Sequence, residues 1–193
     1  MKVTSFWGDA CKYGAILGVV ASASAIFEDY LINFSSVSLE AMGLIYIVEL
    51  IAYTALFIYL VVRFTKHRAL QYEGEEFTFG HGFSYSFVIV MLAMIVVGVA
   101  HTLFIEIMGF EEFIEGFLMR IDQVEKSIIE NPDVADIMGG DMSADFEQIR
   151  LQIRMTTQPS ILSNVFARVN SAAFITLILS TIIGFNMRSK SLK

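Results

Sequence analysis

The chain has 193 residues, of which 55% are hydrophobic and only 17% charged, and its formal net charge is −7. Soluble domains average about 25% charged residues, whereas here the charges crowd into a few stretches with long apolar runs between them. That pattern excludes an ordinary soluble domain, and the acidity excludes a nucleic-acid binder, because no basic face is available to meet phosphates.

Four runs are long enough to cross a bilayer, whose core of roughly 30 Å takes about 20 apolar residues. The first is predicted over residues 13–32. Its apolar part is Tyr13 to Phe27, and it reaches Ile32 if Glu28 and Asp29 sit at the interface. Its start resembles a signal peptide, with Lys2 and Lys12 as a basic flank and small-x-small steps in ASASA (21–25). Trp7, Asp9 and the separation of the basic flank from the apolar run favour a retained helix. Cys11, the single cysteine, precludes an intrachain disulfide and reads as a small filler at the membrane edge.

The second span is predicted over 41–64, interrupted by Glu49, and closes on Arg63, Lys66 and Arg68. The third, over 83–110, contains His101 and Glu106 and is introduced by FTFGHGFSYSF (77–87). On a helix, Phe79, Phe83 and Phe87 make a ridge beside Gly80 and Ser84, a small-residue groove that permits close helix approach. Gly80, Phe83, Ser84 and Phe87 are therefore expected to be packing residues. His81 has no cysteine or second histidine at ligand spacing, and no GxSxG, HExxH or P-loop occurs in the chain. It reads as an interfacial or packing residue, with no metal or catalytic role.

Residues 111–160 hold eleven acidic and four basic residues, which is the whole net charge of −7. Phe110, Phe113, Ile114, Phe117, Leu118, Ile121, Val124 and Ile128 recur at helical spacing opposite Glu111, Glu112, Glu115, Asp122 and Glu125, so span three is expected to continue as an amphipathic helix. Asn131-Pro132-Asp133 should end it and start a short helix that Gly139-Gly140 terminates. A third helix from near Ser143 is expected to bury Phe146, Ile149 and Ile153 and to stop before Pro159. Asp133, Asp136, Asp141 and Asp145 lack the alternating ligands and glycine of a calcium loop. The fourth span, 161–187, contains Arg168, Asn170 and Asn186, and Arg188, Lys190 and Lys193 follow it.

Basic residues flank the start of span one, the end of span two and the end of span four, while the loop between spans one and two has none. The positive-inside rule then places both termini in the cytoplasm and 111–160 on the exoplasmic side of a bacterial inner membrane. The fold expected is all-α: one membrane domain over 1–193, a polytopic four-transmembrane-helix bundle with an amphipathic helical cap between helices three and four.

Ionisable groups within a span are functional candidates. At about 1.5 Å per residue, Glu49, His101, Arg168 and Asn170 fall in one layer of the outer half, and Tyr53 lies one turn from Glu49. They could form a site for a proton, an ion or a lipid headgroup, a buried Glu49–Arg168 pair that fixes helix register, or a face toward a partner. Four short spans without inverted repeats or broken helices argue against a complete transport pathway.

Several stretches resemble, in order, a family of small Bacteroidota membrane proteins known as domain of unknown function 4199. KYGAILGVVASA (12–23) is similar to its opening helix and FTFGHGFSYSF to its third section. ENPDVADIM (130–138) is similar to its acidic-proline turn, and DMSADFEQIRLQI with the following TTQP (141–159) to its outer helix. The resemblance implies no reaction. It points to a partner, a polyprenyl-phosphate glycosyltransferase, near whose genes those of the family often lie. In that setting Arg63, Lys66, Arg68, Arg188 and Lys190 would meet a lipid phosphate or anionic headgroups, beyond simple positive-inside anchoring.

The expectation is a non-catalytic auxiliary subunit that needs no cofactor or metal and contacts membrane lipids and another membrane protein. The competing readings are a small transporter or channel using Glu49, His101 and Arg168, and a homo-oligomeric scaffold joined through the small-residue rows of spans one and three.

Overall fold

Inside hydrocarbon every backbone N–H and C=O must be satisfied within its own segment, so long apolar runs fold as helices. The computed structural model of the chain describes residues 5–72, 77–130 and 143–187. Among these the regular elements are all helical: α1 Phe6–Asn33, α2 Leu39–Ala69, α3 Phe79–Met108, α4 Phe110–Glu130, α5 Ser143–Arg154 and α6 Ile161–Met187. Helices α1, α2, α3 and α6 are long and apolar enough to cross a membrane, and the protein is a multi-pass membrane protein.

Each spanning helix starts on a hydroxyl that accepts a backbone N–H three residues on, which relieves one of the unpaired donors of a first turn. The pairs are Gly8 with Ser5 Oγ (3.0 Å) and Ala41 with Ser38 Oγ (3.4 Å). They continue with His81 and Thr78 Oγ1 (3.4 Å) and Ser163 and Ser160 Oγ (3.2 Å). These caps set helix starts that hydropathy alone placed later, at 13 for α1 and 83 for α3. The amphipathic stretch is not a direct continuation of span three. Gly109 adopts φ +92°, a conformation open to glycine, and separates α3 from α4.

The chain divides into two compact units, one of residues 1–25, 49–102 and 160–193 and the other of 26–48 and 103–159. In the first, α3 is the central helix. A Cβ on Gly18 would stand 2.5 Å from Val96 Cβ, and one on Gly98 would stand 2.6 Å from Val165 Cα, so α1 and α6 each press directly on α3. The core is built from Leu17, Val61, Phe64, Phe77, Tyr85, Ile89 and Ala93 among others. Gly80 and Ser84 are exposed, while Gly82 and Ser86, two residues on, are buried. The groove expected at Gly80 therefore lies one row over, where Gly82 meets Gly184. Phe79, Phe83 and Phe87 do form a ridge, with successive ring centroids 5.8 and 5.9 Å apart.

In the second unit, Phe34 packs against Phe104 and Phe113. The residues of α4 most removed from solvent are Gly116 and Arg120, whereas Phe117 and Val124, expected on its apolar face, are exposed. In α5, Phe146 is buried and Ile153 half-buried, but Ile149 is exposed. The expected short helix after Pro132 and the acids Asp133, Asp136 and Asp141 lie outside the described residues, and Asp145 is exposed on α5.

Candidate functional site

The residues of the intramembrane layer separate onto different helix contacts. Glu49 on α2 turns toward α1, where Ser24 Oγ donates to its Oε1. Its Oε2 is buried and has no hydrogen-bond partner among the described residues. Arg168 on α6 is half-buried, and no ion pair joins it to Glu49 among the described residues. The expected pair does not form because α2 meets α1 at this acid while α6 is seated on α3.

The α3–α6 contact has its own polar link. Asn164 Nδ2 donates to Thr102 Oγ1 at 2.8 Å, and Thr102 donates to the Gly98 carbonyl at 3.0 Å. His101 is half-buried beside Thr102 in the chain, Tyr53 is half-buried with its ring 5.6 Å from that of Phe57, and Asn170 is exposed. Ser24, Thr102 and Asn164 were not singled out from the sequence. A serine or threonine facing a polar residue of the neighbouring span was the available signal.

The basic set also divides. Arg63 and Lys66 are exposed, and Arg63 Nη1 donates to the Tyr59 hydroxyl at 3.0 Å. Arg68 is buried instead: its Nη1 lies 3.1 Å from Asp9 Oδ2 and 2.8 Å from Gln71 Oε1, and its guanidinium stands over the Tyr72 ring. It ties α1 to α2 and is not presented to a headgroup. Arg188 and Lys190 lie outside the described residues. His81 closes a reciprocal cap, since its Nδ1 accepts the Thr78 N–H at 3.3 Å while its ring lies 4.8 Å from that of Tyr72.

In the second unit two arginines organise the structure. Arg120, 4% exposed, gives Nε to the Ile32 carbonyl (2.7 Å), Nη1 to the Val37 carbonyl (2.9 Å) and Gln123 Oε1 (2.7 Å). Its Nη2 donates to the Leu31 carbonyl (3.2 Å) and to Ser35 O (2.5 Å) and Oγ (3.0 Å). A cation is thus set at the C-terminus of α1, where carbonyls end without partners and the helix dipole is negative. Sequence reading passed over Arg120 because an arginine amid acids looks like an ordinary solvated charge. Arg150 on α5 bonds Glu125 and Asp122 of α4, and Glu147 of its own helix. The hydrogen bonds that it donates to Glu125 and then to Asp122 hold its guanidinium above the usual arginine range.

A cavity of about 230 Å³ lies among Asp29, Ile32, Asn33, Phe113, Ile114 and Phe117 with Ile153 and Thr156. It is below the roughly 300 Å³ at which ligand clefts begin.

The family model described as "Protein of unknown function (DUF4199)" matches residues 12–189, and the chain belongs to that family. No curated protein matches it, and no solved structure does.

Proposed function

We propose that this member of the DUF4199 family is a non-catalytic subunit that steadies a larger complex of a bacterial inner membrane, with both termini cytoplasmic. The carrying observation is the uneven burial of the spans. Of its most apolar stretch, α3 has 39% buried within the chain and α2 only 6%. Helix α2 is thus a spanning helix most of whose apolar stretch is left for lipid or for another protein. Packing, interhelical hydrogen bonds and lipid entropy drive association between such helices, and α2 supplies a long apolar face for it.

The polar groups inside the spans fit the same reading. Ser24–Glu49 and Thr102–Asn164 each join two helices of the chain, the use expected of structural links rather than of a conduction path. Arg63 and Lys66 remain exposed at one end of α2, placed to meet the phosphate of an anionic lipid beside the partner. A polyprenyl-phosphate glycosyltransferase is the partner class proposed. The second carboxylate oxygen of Glu49, buried without a partner among the described residues, favours the alternative of a small proton or ion transporter.

The test is to isolate the native complex in a mild detergent and identify its proteins and lipids by mass spectrometry. A second membrane protein in fixed ratio is the expected result. Recovery of the chain alone, or only with copies of itself, refutes the subunit reading and makes flux through a Glu49→Gln variant in liposomes the next measurement.

A further inference from the structure

Helix α6 carries three asparagines, and two of them are accounted for. Asn164 bonds Thr102 on α3, and Asn186 Nδ2 donates to the Ile182 carbonyl of its own helix at 2.8 Å. Asn170 is different. It is exposed, and its amide has no hydrogen-bond partner among the described residues. It sits nine residues beyond the start of α6, about 14 Å along the axis, between the outward rings of Phe166 and Phe174, which are 73% and 72% exposed. Hydrocarbon offers an amide neither donor nor acceptor, so this position is unfavourable unless another protein surface covers it.

The neighbouring row describes the shape of what would cover it. Ser163, Ala167 and Ser171 follow at i, i+4 and i+8 and are all exposed, a small-xxx-small row along which a second helix backbone can approach closely. The nearest charge is that of half-buried Arg168, roughly 160° around the helix from Asn170 but only about 60° from Ser171 at 3.6 residues per turn, so it borders the row on the side away from Asn170.

We propose that α6 is a self-association helix, packing against α6 of a second copy of the chain across a two-fold axis, with the two Asn170 amides bonded to each other. Complementarity singles out this occupant. Two copies in one membrane share a topology, so the same residue stands at the same depth in both. A carboxamide is both donor and acceptor, and an isologous contact therefore satisfies both amides at once. Asn170, at the centre of the contact, is itself uncharged, so the two-fold axis brings no like charges together there. Gly14 and Gly18 of α1, by contrast, are occupied within the chain, since they meet Leu92 and Val96 of α3. The inference is independent of the subunit reading, because a dimer can stand with or without a further partner.

The test uses the full chain in liposomes, with Cys11→Ser removing the native thiol and single cysteines introduced for oxidative crosslinking. Ala167→Cys reports the proposed face, and Ile51→Cys on the outward side of α2, 66% exposed, is the control. Ala167→Cys is expected to crosslink between copies at least about tenfold faster than Ile51→Cys. Adding Asn170→Leu should weaken dimerisation about three- to thirty-fold, the range for an interhelical hydrogen bond in a membrane, while Asn170→Gln should retain it. Asn170→Leu changes an outward side chain, and an unchanged circular dichroism spectrum checks that the variant folds. Equal crosslinking at positions 51 and 167, or no effect of Asn170→Leu, overturns the proposal. A crosslink in native membranes from position 167 to a different protein, with none between copies, also overturns it and assigns the face to that protein.

Discussion

Replacing Arg120 with methionine keeps most of the side-chain volume and removes every donor. Four backbone carbonyls lose a charged donor: Leu31, Ile32, Ser35 and Val37. The Leu31 carbonyl keeps another, because Ser35 Oγ also donates to it at 2.6 Å, so three are left to find water. Hydrogen bonds to charged groups contribute about 1.5–3 kcal/mol each, and a plain sum would exceed what single substitutions do. Ser35 and Val37 are only half-buried, and water can reach part of the gap. The expected destabilisation is therefore about 3 kcal/mol, near the upper end of ordinary point substitutions. Arg120→Lys should recover about half, since the charge at the end of α1 is restored but one ammonium cannot reach carbonyls spread from residue 31 to residue 37. Equilibrium unfolding in mixed micelles measures the stability, and hydrogen exchange of the amides over residues 31–40 reports the local loosening. A methionine variant within about 1 kcal/mol of the parent, with unchanged protection there, would show that Arg120 does not hold the α1–α2 connection.

Two further predictions use the same unfolding measurement. A Cβ added at Gly116 would stand 1.9 Å from the carbonyl oxygen of Asn33, a backbone atom, whereas one at Gly43 meets nothing within 4 Å. Gly116→Ala should destabilise by about 2–3 kcal/mol through overpacking, and Gly43→Ala should stabilise by about 0.5–1 kcal/mol through helix propensity; effects of the same sign would contradict the packing described. At the Asp9–Arg68 pair, both side chains are at most 8% exposed. Asp9→Asn or Arg68→Met alone should cost about 2–4 kcal/mol by leaving a buried charge uncompensated, and the double variant should cost less than the two together. Strict additivity would mean that the two charges do not interact.

The spanning helices were legible because their cause is local. A run of apolar residues must satisfy its own backbone in hydrocarbon, and 161–187 coincides with α6 residue for residue. The cap on α3 was not legible: hydropathy started that span at 83, and His81, two residues before that start and read as an interfacial or packing residue, closes a reciprocal bond with Thr78. The separation of α3 from α4 needed only Gly109, yet an unbroken apolar periodicity hid it. Which glycine row of α3 packs could not be read, because Gly80 and Gly82 have the same composition around them and only the seat of α6 chooses between them.

The polar side chains divide on the same principle. Composition and periodicity determined that the chain is all-α, that it crosses a membrane through four helices and that its acidity lies in 111–160, since each of these follows from the transfer of single segments out of water. The partner of each charge was decided by tertiary structure alone. Glu49 took Ser24 rather than Arg168, Arg68 took Asp9 rather than a lipid headgroup, and Arg120 closed the end of α1. A buried charge is stable only where donors and acceptors converge on it from other segments, and that convergence depends on how the helices are seated against one another.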